Sequence, residues 1–169
     1  NTILASSGEL LRARARDTMR NNPLAVAGGE SFVSNLIGAG IKPSPLIKDP
    51  TLRRTMNELW SDWVEECDAD GLTDFYGLQT MGARALFEAG EFFIRRRPRR
   101  VEDGLAVPLQ LQMLESEMVP FEKNERAPNG NYIMNGIEFD WRGQRAAYWM
   151  YPIHPGEAQI EPDAIFGMT

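Results

Sequence analysis

Side chains able to attack, abstract or coordinate are sparse in this sequence. Nucleophilic catalysis needs a base beside a Ser, Thr or Cys, and the single histidine, His154, lies between Ile153 and Pro155 where an apolar stretch ends. A structural or surface role is the simpler reading of that position. The single cysteine, Cys67, has no intrachain disulfide partner. A zinc site of four cysteines, or of two cysteines with two histidines, is excluded by counting. A lone thiol fits a reducing compartment.

Carboxylates are more plentiful. Glu115 with Glu117 and Glu88 with Glu91 have the spacing of acid–base pairs, but such pairs arise readily in a chain with 24 acids. Asp68, Asp70 and Asp74 begin like a calcium loop. That loop requires glycine at its sixth position and glutamate at its twelfth, where this chain has Thr73 and Gln79. A turn followed by a helix cap accounts for the segment. Phosphate cradles need glycines that let backbone donors converge before a helix. Gly28 and Gly29 fall inside a predicted helix, and Gly38-Ala39-Gly40 lacks the following lysine. A close helix contact and a C-cap explain them. No catalytic, cofactor-binding or metal-binding residue is assigned.

The remaining chemistry is electrostatic. The net charge is −6, which argues against sequence-independent nucleic-acid binding as the main activity. Charge is nevertheless clustered. Arg12, Arg14, Arg16 and Arg20 lie early, Arg95, Arg96, Arg97, Arg99 and Arg100 flank Pro98, and Glu65, Glu66, Asp68 and Asp70 form an acidic knot between them. On an edge strand, charge and proline block sheet aggregation. Arginine is equally suited to bidentate pairing with carboxylates across an interface, so both clusters are candidate subunit contacts. Duplex DNA is expected to bind weakly and without sequence preference.

These groups must be carried by elements. Apolar spacing predicts a first helix from Ser7 to about Arg20. Asn22-Pro23 and Asp49-Pro50 each pair an N-cap with the proline favoured at the first helical position. They open a second helix ended by Gly38 and a third ended near Cys67, with a proline-bearing connector from Ile41 to Ile47 between them. Thr73 is the candidate cap of a fourth helix closed by Gly90. The Trp60–Trp63 pair has helical spacing and reads as core. Beyond Phe92 the period changes to two. A hairpin turning near Glu102, Asp103 and Gly104 leads to a strand from Leu105 to Met113. Asn129-Gly130 marks a turn before a strand from Tyr132 to Asp140, and Arg142-Gly143 another before a strand from Ala146 to Ile153. Helices over 7–90 and mainly strands over 91–155 define an α+β class, with 43% hydrophobic content enough for a single domain. No apolar run approaches the roughly 20 residues of a membrane span, and the N-terminus lacks a signal-peptide layout. Beginning at Asn1, the chain reads as a fragment of a longer protein.

Several ordered stretches together resemble the lambda-family phage portal proteins. They are Arg14-Ala15-Arg16 through Asn21-Asn22-Pro23; Ser34-Asn35-Leu36-Ile37-Gly38-Ala39-Gly40-Ile41-Lys42-Pro43; and Leu59-Trp60, Trp63 and Cys67-Asp68-Ala69. Gly90-Glu91, Val107-Pro108-Leu109-Gln110-Leu111-Gln112 and Leu114-Glu115 follow. The series closes with Asn135-Gly136-Ile137-Glu138-Phe139-Asp140, Gly143, Ala147-Tyr148-Trp149 and His154-Pro155-Gly156. The likeness spans nearly the whole chain and is least distinct over Ile160–Thr169.

The resemblance implies a non-enzymatic subunit of a closed homo-oligomeric ring, typically a dodecamer, at one capsid vertex. In that setting double-stranded DNA passes through the channel, and terminase, capsid and neck proteins dock. No cofactor and no membrane are involved. The site is the virion, with the host cytoplasm during assembly and a phage or prophage as source. This piece would hold the wing-like part and lack the later stem and clip. Two other classes compete: a small carboxylate-dependent hydrolase or transferase, and a basic-patch nucleic-acid binder. An acidic chain with one histidine disfavours both.

Overall fold

The fold is that of a computed structural model, which describes residues 2–156 and 166–168. Four helices come first: α1 (Thr2–Asn21), α2 (Pro23–Ile37), α3 (Pro50–Glu66) and α4 (Phe75–Ala89). Strands follow: β1 (Phe92–Pro98), β2 (Leu109–Glu115), β3 (Glu125–Arg126), β4 (Tyr132–Met134), β5 (Ile137–Phe139), β6 (Arg145–Met150) and β7 (Phe166–Met168). The class is α+β, and the chain divides into two compact units, Thr18–Leu114 and Asn1–Asp17 with Glu115–Thr169. Among the described residues no helix is long and apolar enough to cross a membrane.

In the Thr18–Leu114 unit the caps act where the sequence places them. Asn22 Oδ1 accepts the Leu24 N–H at 2.9 Å, and Asp49 Oδ1 accepts those of Thr51 and Leu52 at 2.8 and 3.3 Å. The α4 cap is Asp74 instead of the expected Thr73. Its Oδ1 takes the Gly77 N–H at 2.7 Å, and Thr73 crowds Gly77 so closely that a Cβ there would lie 1.7 Å from Thr73 Oγ1. Helices α2 and α4 approach through Gly29, where a Cβ would meet Met19 Cε at 2.6 Å and Phe87 at 3.3 Å. Arg84 pairs with Glu30 across the same contact at 2.7 Å. Gln79 clips the proline-bearing connector to α4 by exchanging two 2.8 Å hydrogen bonds with the backbone of Ile41.

The core of this unit gathers Trp63, Cys67 and Leu78, with Trp60, Phe75 and Leu111 against it. The Trp63 indole donates to the Leu109 carbonyl at 2.6 Å, tying α3 to β2. Strands β1 and β2 form a two-stranded sheet. The strand expected from Leu105 begins only at Leu109. The chain first makes a 3-10 turn over Val101–Asp103, closed by Gly104 at φ 76°. The apolar alternation of Leu105 and Val107 belongs to the connection, not to the ladder.

The second unit is built on an antiparallel sheet of order β3-β4-β5-β6-β7. The single strand expected from Tyr132 to Asp140 is two, folded back at Asn135 (φ 50°) and Gly136 (φ 75°). That pair of positive φ values is what a two-residue hairpin turn demands, and Asn-Gly is its preferred sequence. The turn at Asp140–Gly143 is closed by the Asp140 carboxylate, which accepts the N–H groups of Arg142 and Gln144 at 2.9 and 2.8 Å. Val119, Ile133, Ala147 and Met150 are buried in this unit. The first helix begins at Thr2, ahead of the expected Ser7.

Candidate functional site

Three polar groupings and one apolar groove emerge, each within a single unit. The first gathers residues that are distant in sequence. The Arg16 guanidinium on α1 donates from Nε to Glu117 Oε1 at 2.7 Å, and from Nη2 to Glu117 Oε2 and Glu115 Oε2 at 2.9 and 2.8 Å. Ser116, fully buried, adds its hydroxyl to Glu117 Oε2 at 3.0 Å. Burial draws the Glu117 carboxyl upward, but the hydrogen bonds from Arg16 and from its own backbone, with the arginine's charge, outweigh it and hold the group below its ordinary value.

His154 completes the cluster, with Nε2 3.4 Å from Glu115 Oε2. Ligating atoms of Glu115, Glu117 and His154 lie within 4.8 Å of one another, a spacing that a metal could span. Two features oppose that use. A guanidinium already stands between the carboxylates. The Gly156 N–H also donates to His154 Nδ1 at 3.0 Å, which places the neutral ring's proton on Nε2, facing Glu115. A metal at Nε2 would require moving that proton to Nδ1 and giving up the Gly156 bond. The arrangement is an ion-pair knot tying α1 to the start of the second unit's β region. In the sequence Glu115–Glu117 has the look of a chance pair and Arg16 of one member of a basic cluster; nothing local in either segment points to the other.

The second grouping surrounds Glu138, which is 6% exposed. Its Oε1 accepts from the side-chain amides of Asn129 and Asn131, both at 2.8 Å, and its Oε2 from the Trp149 indole at 3.0 Å. The Asn129 and Asn131 hydrogen bonds are the main reason its carboxyl sits below the ordinary value; burial opposes them and Trp149 adds to them. All its ligands are neutral donors, so the carboxylate anchors the Asn129–Asn131 turn to β6 and is not free to act as a base.

The third is the acidic knot foreseen as a contact surface. Asp68 is buried and committed to its own loop: Oδ1 accepts the Asp70 N–H at 3.1 Å, and Oδ2 those of Leu72 and Thr73 at 2.8 and 3.1 Å. Glu66 accepts the Ala106 N–H at 2.6 Å, and Asp70 accepts from Gln112 at 2.9 Å. Glu65 remains exposed on α3. Cys67, between them, has no exposure; burial foremost, then the Asp68 charge, pushes its thiol up to about 11, so it is an inert core group.

The arginine run divides. Arg99 Nε donates to Gln110 Oε1 at 2.8 Å, and the backbone N–H of Arg100 is taken by Asp103 at 2.9 Å. Arg95 and Arg96 are exposed and Arg97 half-buried on β1. Beside that strand lies an apolar groove of about 250 Å³, lined by Leu36, Ile37 and Leu86 from the helices and by Phe92, Ile94 and Met113 from the sheet.

The polar groups are thus spent mainly on turns and on joining elements, which marks an α+β scaffold whose outward features are a basic strand edge and an apolar groove. The chain belongs to the lambda family of phage portal proteins: residues 1–166 match the family described as phage portal protein, lambda family. It is also 29% identical over 167 residues to a protein of Halomonas phage phiHAP-1 named probable portal protein. That match covers 92% of this chain and 31% of the relative, so the chain spans about a third of that relative's length.

Proposed function

We propose that this chain is part of a structural subunit of a portal ring at a phage capsid vertex, the conduit for DNA packaging and ejection. The observation that carries the reading is the family match across residues 1–166. In this reading the protein is not an enzyme, the chain is the outer, wing-like part of the subunit, and the stem and clip lie in sequence beyond it. The full-length protein assembles as a closed ring, for which twelve copies are typical of the family. Terminase, capsid and neck proteins dock on it, and duplex DNA passes without sequence-specific contact. It resides in the virion, after assembly in the host cytoplasm. A head-to-tail ring needs two unlike surfaces on each subunit. Arg95, Arg96, Arg97, Arg100, Glu65 and Asp70 are accessible candidates for them; Glu66, Asp68 and Arg99 contribute mainly by shaping the loops that present them.

Light scattering of the full-length protein tests the assembly, with a mass many times that of the protomer expected and a monomer at all concentrations contradicting it. Parallel ATPase and hydrolase assays should show no turnover; an activity that disappears on Glu115→Gln or His154→Ala would favour an enzyme.

A further inference from the structure

We propose that the outer edge of β1 receives an extended segment of another protein in which acidic and aliphatic residues alternate, added as a third strand. The inference stands on β1 itself and holds whether or not the ring reading does. Strand β2 lies against one edge of β1, and β2's own far edge is occupied: Leu111 donates to Cys67 O at 2.7 Å, and Ala69 donates to Leu111 O at 2.8 Å. Leu111 therefore faces away from β1, and in an antiparallel ladder Gln110, Gln112 and Leu114 face toward it. Arg99 donates to Pro108 O at 2.9 Å, which fixes the opposite side of the register. The backbone groups of Ile94 and Arg96 then point outward, where no other strand among the described residues pairs with β1. Pro98, with no N–H, ends the available edge.

The two faces of β1 differ. Phe92 and Ile94 border the apolar groove, and Ile94 is 52% exposed there. Arg95 and Arg97, with Phe93, alternate with them and project from the other face, while Arg96 follows Ile94 on the groove side. Neither these two nor Arg96 has an ion-pair partner among the described residues, in a chain of net charge −6. Side chains directly opposite across a ladder share a face. A third strand would thus place aliphatic side chains over the groove beside Ile94, and carboxylates beside Arg95 and Arg97. Main-chain bonds would supply affinity and the alternating pattern specificity, the mode by which extended peptides join sheet edges.

Charge complementarity names an acidic partner, and the groove favours a peptide over DNA, since a phosphate backbone has no use for an apolar cleft. Among the described residues a second copy is disfavoured by placement: the alternating stretch Ile137–Asp140 includes β5, already paired on both sides by β4 and β6.

Fluorescence anisotropy with the 169-residue chain tests this. The probes are a labelled peptide of alternating Glu and Leu, a composition-matched peptide with Glu and Leu in separate blocks, the alternating peptide with N-methylated backbone, and a labelled DNA duplex. The alternating peptide should bind at least about tenfold more tightly than each of the others. The double variant Arg95→Glu with Arg97→Glu, and separately Ile94→Glu, should weaken it by about tenfold or more at an unchanged far-UV spectrum. If the charge reversal disturbs the fold, Arg95→Gln with Arg97→Gln serves in its place and should weaken binding about threefold. Equal binding of the block peptide, tighter binding of DNA, or no binding of the alternating peptide at about millimolar concentration overturns the proposal. So does a dimer of the chain alone that Arg95→Glu with Arg97→Glu dissociates, because the occupant would then be a second copy.

Discussion

Among the described residues each of the two units buries one carboxylate, Asp68 and Glu138, and the two are satisfied in different ways. Asp68, in the Thr18–Leu114 unit, is 5% exposed and takes backbone N–H groups from residues two, four and five positions later. Glu138, in the other unit, is 6% exposed and takes side-chain donors from nine and seven positions earlier and eleven later. One carboxylate closes a turn within its own neighbourhood. The other joins two strands and a turn. Around Asp68 the core is otherwise aromatic and aliphatic, whereas the second unit adds the Arg16–Glu117 ion pair and buried Ser116 to its apolar residues. Both units combine apolar burial with directional polar contacts, but the second unit's buried carboxylate depends on side-chain donors brought from separate elements, which are costly to leave half-made.

The sharpest way to break this contrast is to remove the two carboxylates in turn. Glu138→Leu leaves two amides and an indole without their acceptor and should cost about 3 kcal/mol or more. Asp68→Asn retains one acceptor oxygen for its loop and should cost about 1 kcal/mol. Urea denaturation read through separate tryptophan indole signals, Trp63 for one unit and Trp149 for the other, measures both. Equal losses would erase the distinction.

Gly136→Ala comes next. It forces a side chain into φ 75°, with its Cβ 2.6 Å from Val119 Cγ1 and 2.9 Å from the Pro120 carbonyl. A loss of about 2 kcal/mol is expected, measured in the same way. Gly104→Ala, at a similar φ of 76° but with open space around it, should cost about 1 kcal/mol.

Acid should separate the units without mutation. Glu138 and Glu117 have folded pKa values below the ordinary 4.5, so their stabilisation is present above that value and is lost as pH falls through the folded ones. The Trp149 indole signal should move below pH 4.5 before that of Trp63 does. At the alkaline end the sign reverses. Cys67, raised from 9.0 to about 11, favours the folded state fully below 9.0 and progressively less as pH approaches 11. Tyr151, raised from 10.0 to about 12 by burial and then by its hydrogen bond to Glu122, acts likewise in the second unit.

The smallest effect is a protection. Cys67 should resist iodoacetamide at neutral pH and react only when its unit opens, so labelling followed by mass spectrometry reports that opening free energy. Rapid labelling of the native chain would contradict the buried, proton-bound thiol.

Legibility in the sequence follows the same division. Caps and breakers act within a few residues, so Asn22-Pro23, Asp49-Pro50, Gly38 and Gly90 mark the helices directly. Thr73 for Asp74 is an error of a single position between two competent residues, whereas Ser7, the cap candidate of the first helix, lies inside α1, which begins at Thr2. The turn at Asn135-Gly136 carried the same signal as Asn129-Gly130 but was submerged in a run of strand-forming residues. The Arg16–Glu115–Glu117–His154 knot could not be read, since its members lie 99 and 101 residues apart along the chain. Neither could the acceptor role of Glu138, which depends on the strand register. The arginine-bearing strand was legible as an edge, while the groove beside it needed the packing of α2 and α4.

The ring is the claim on which the functional reading depends, and a cryo-electron-microscopy reconstruction of the full-length protein measures it directly. The account predicts a closed ring around one central channel, with both units of this chain repeated about the axis in every subunit. A discrete particle lacking a channel would contradict it.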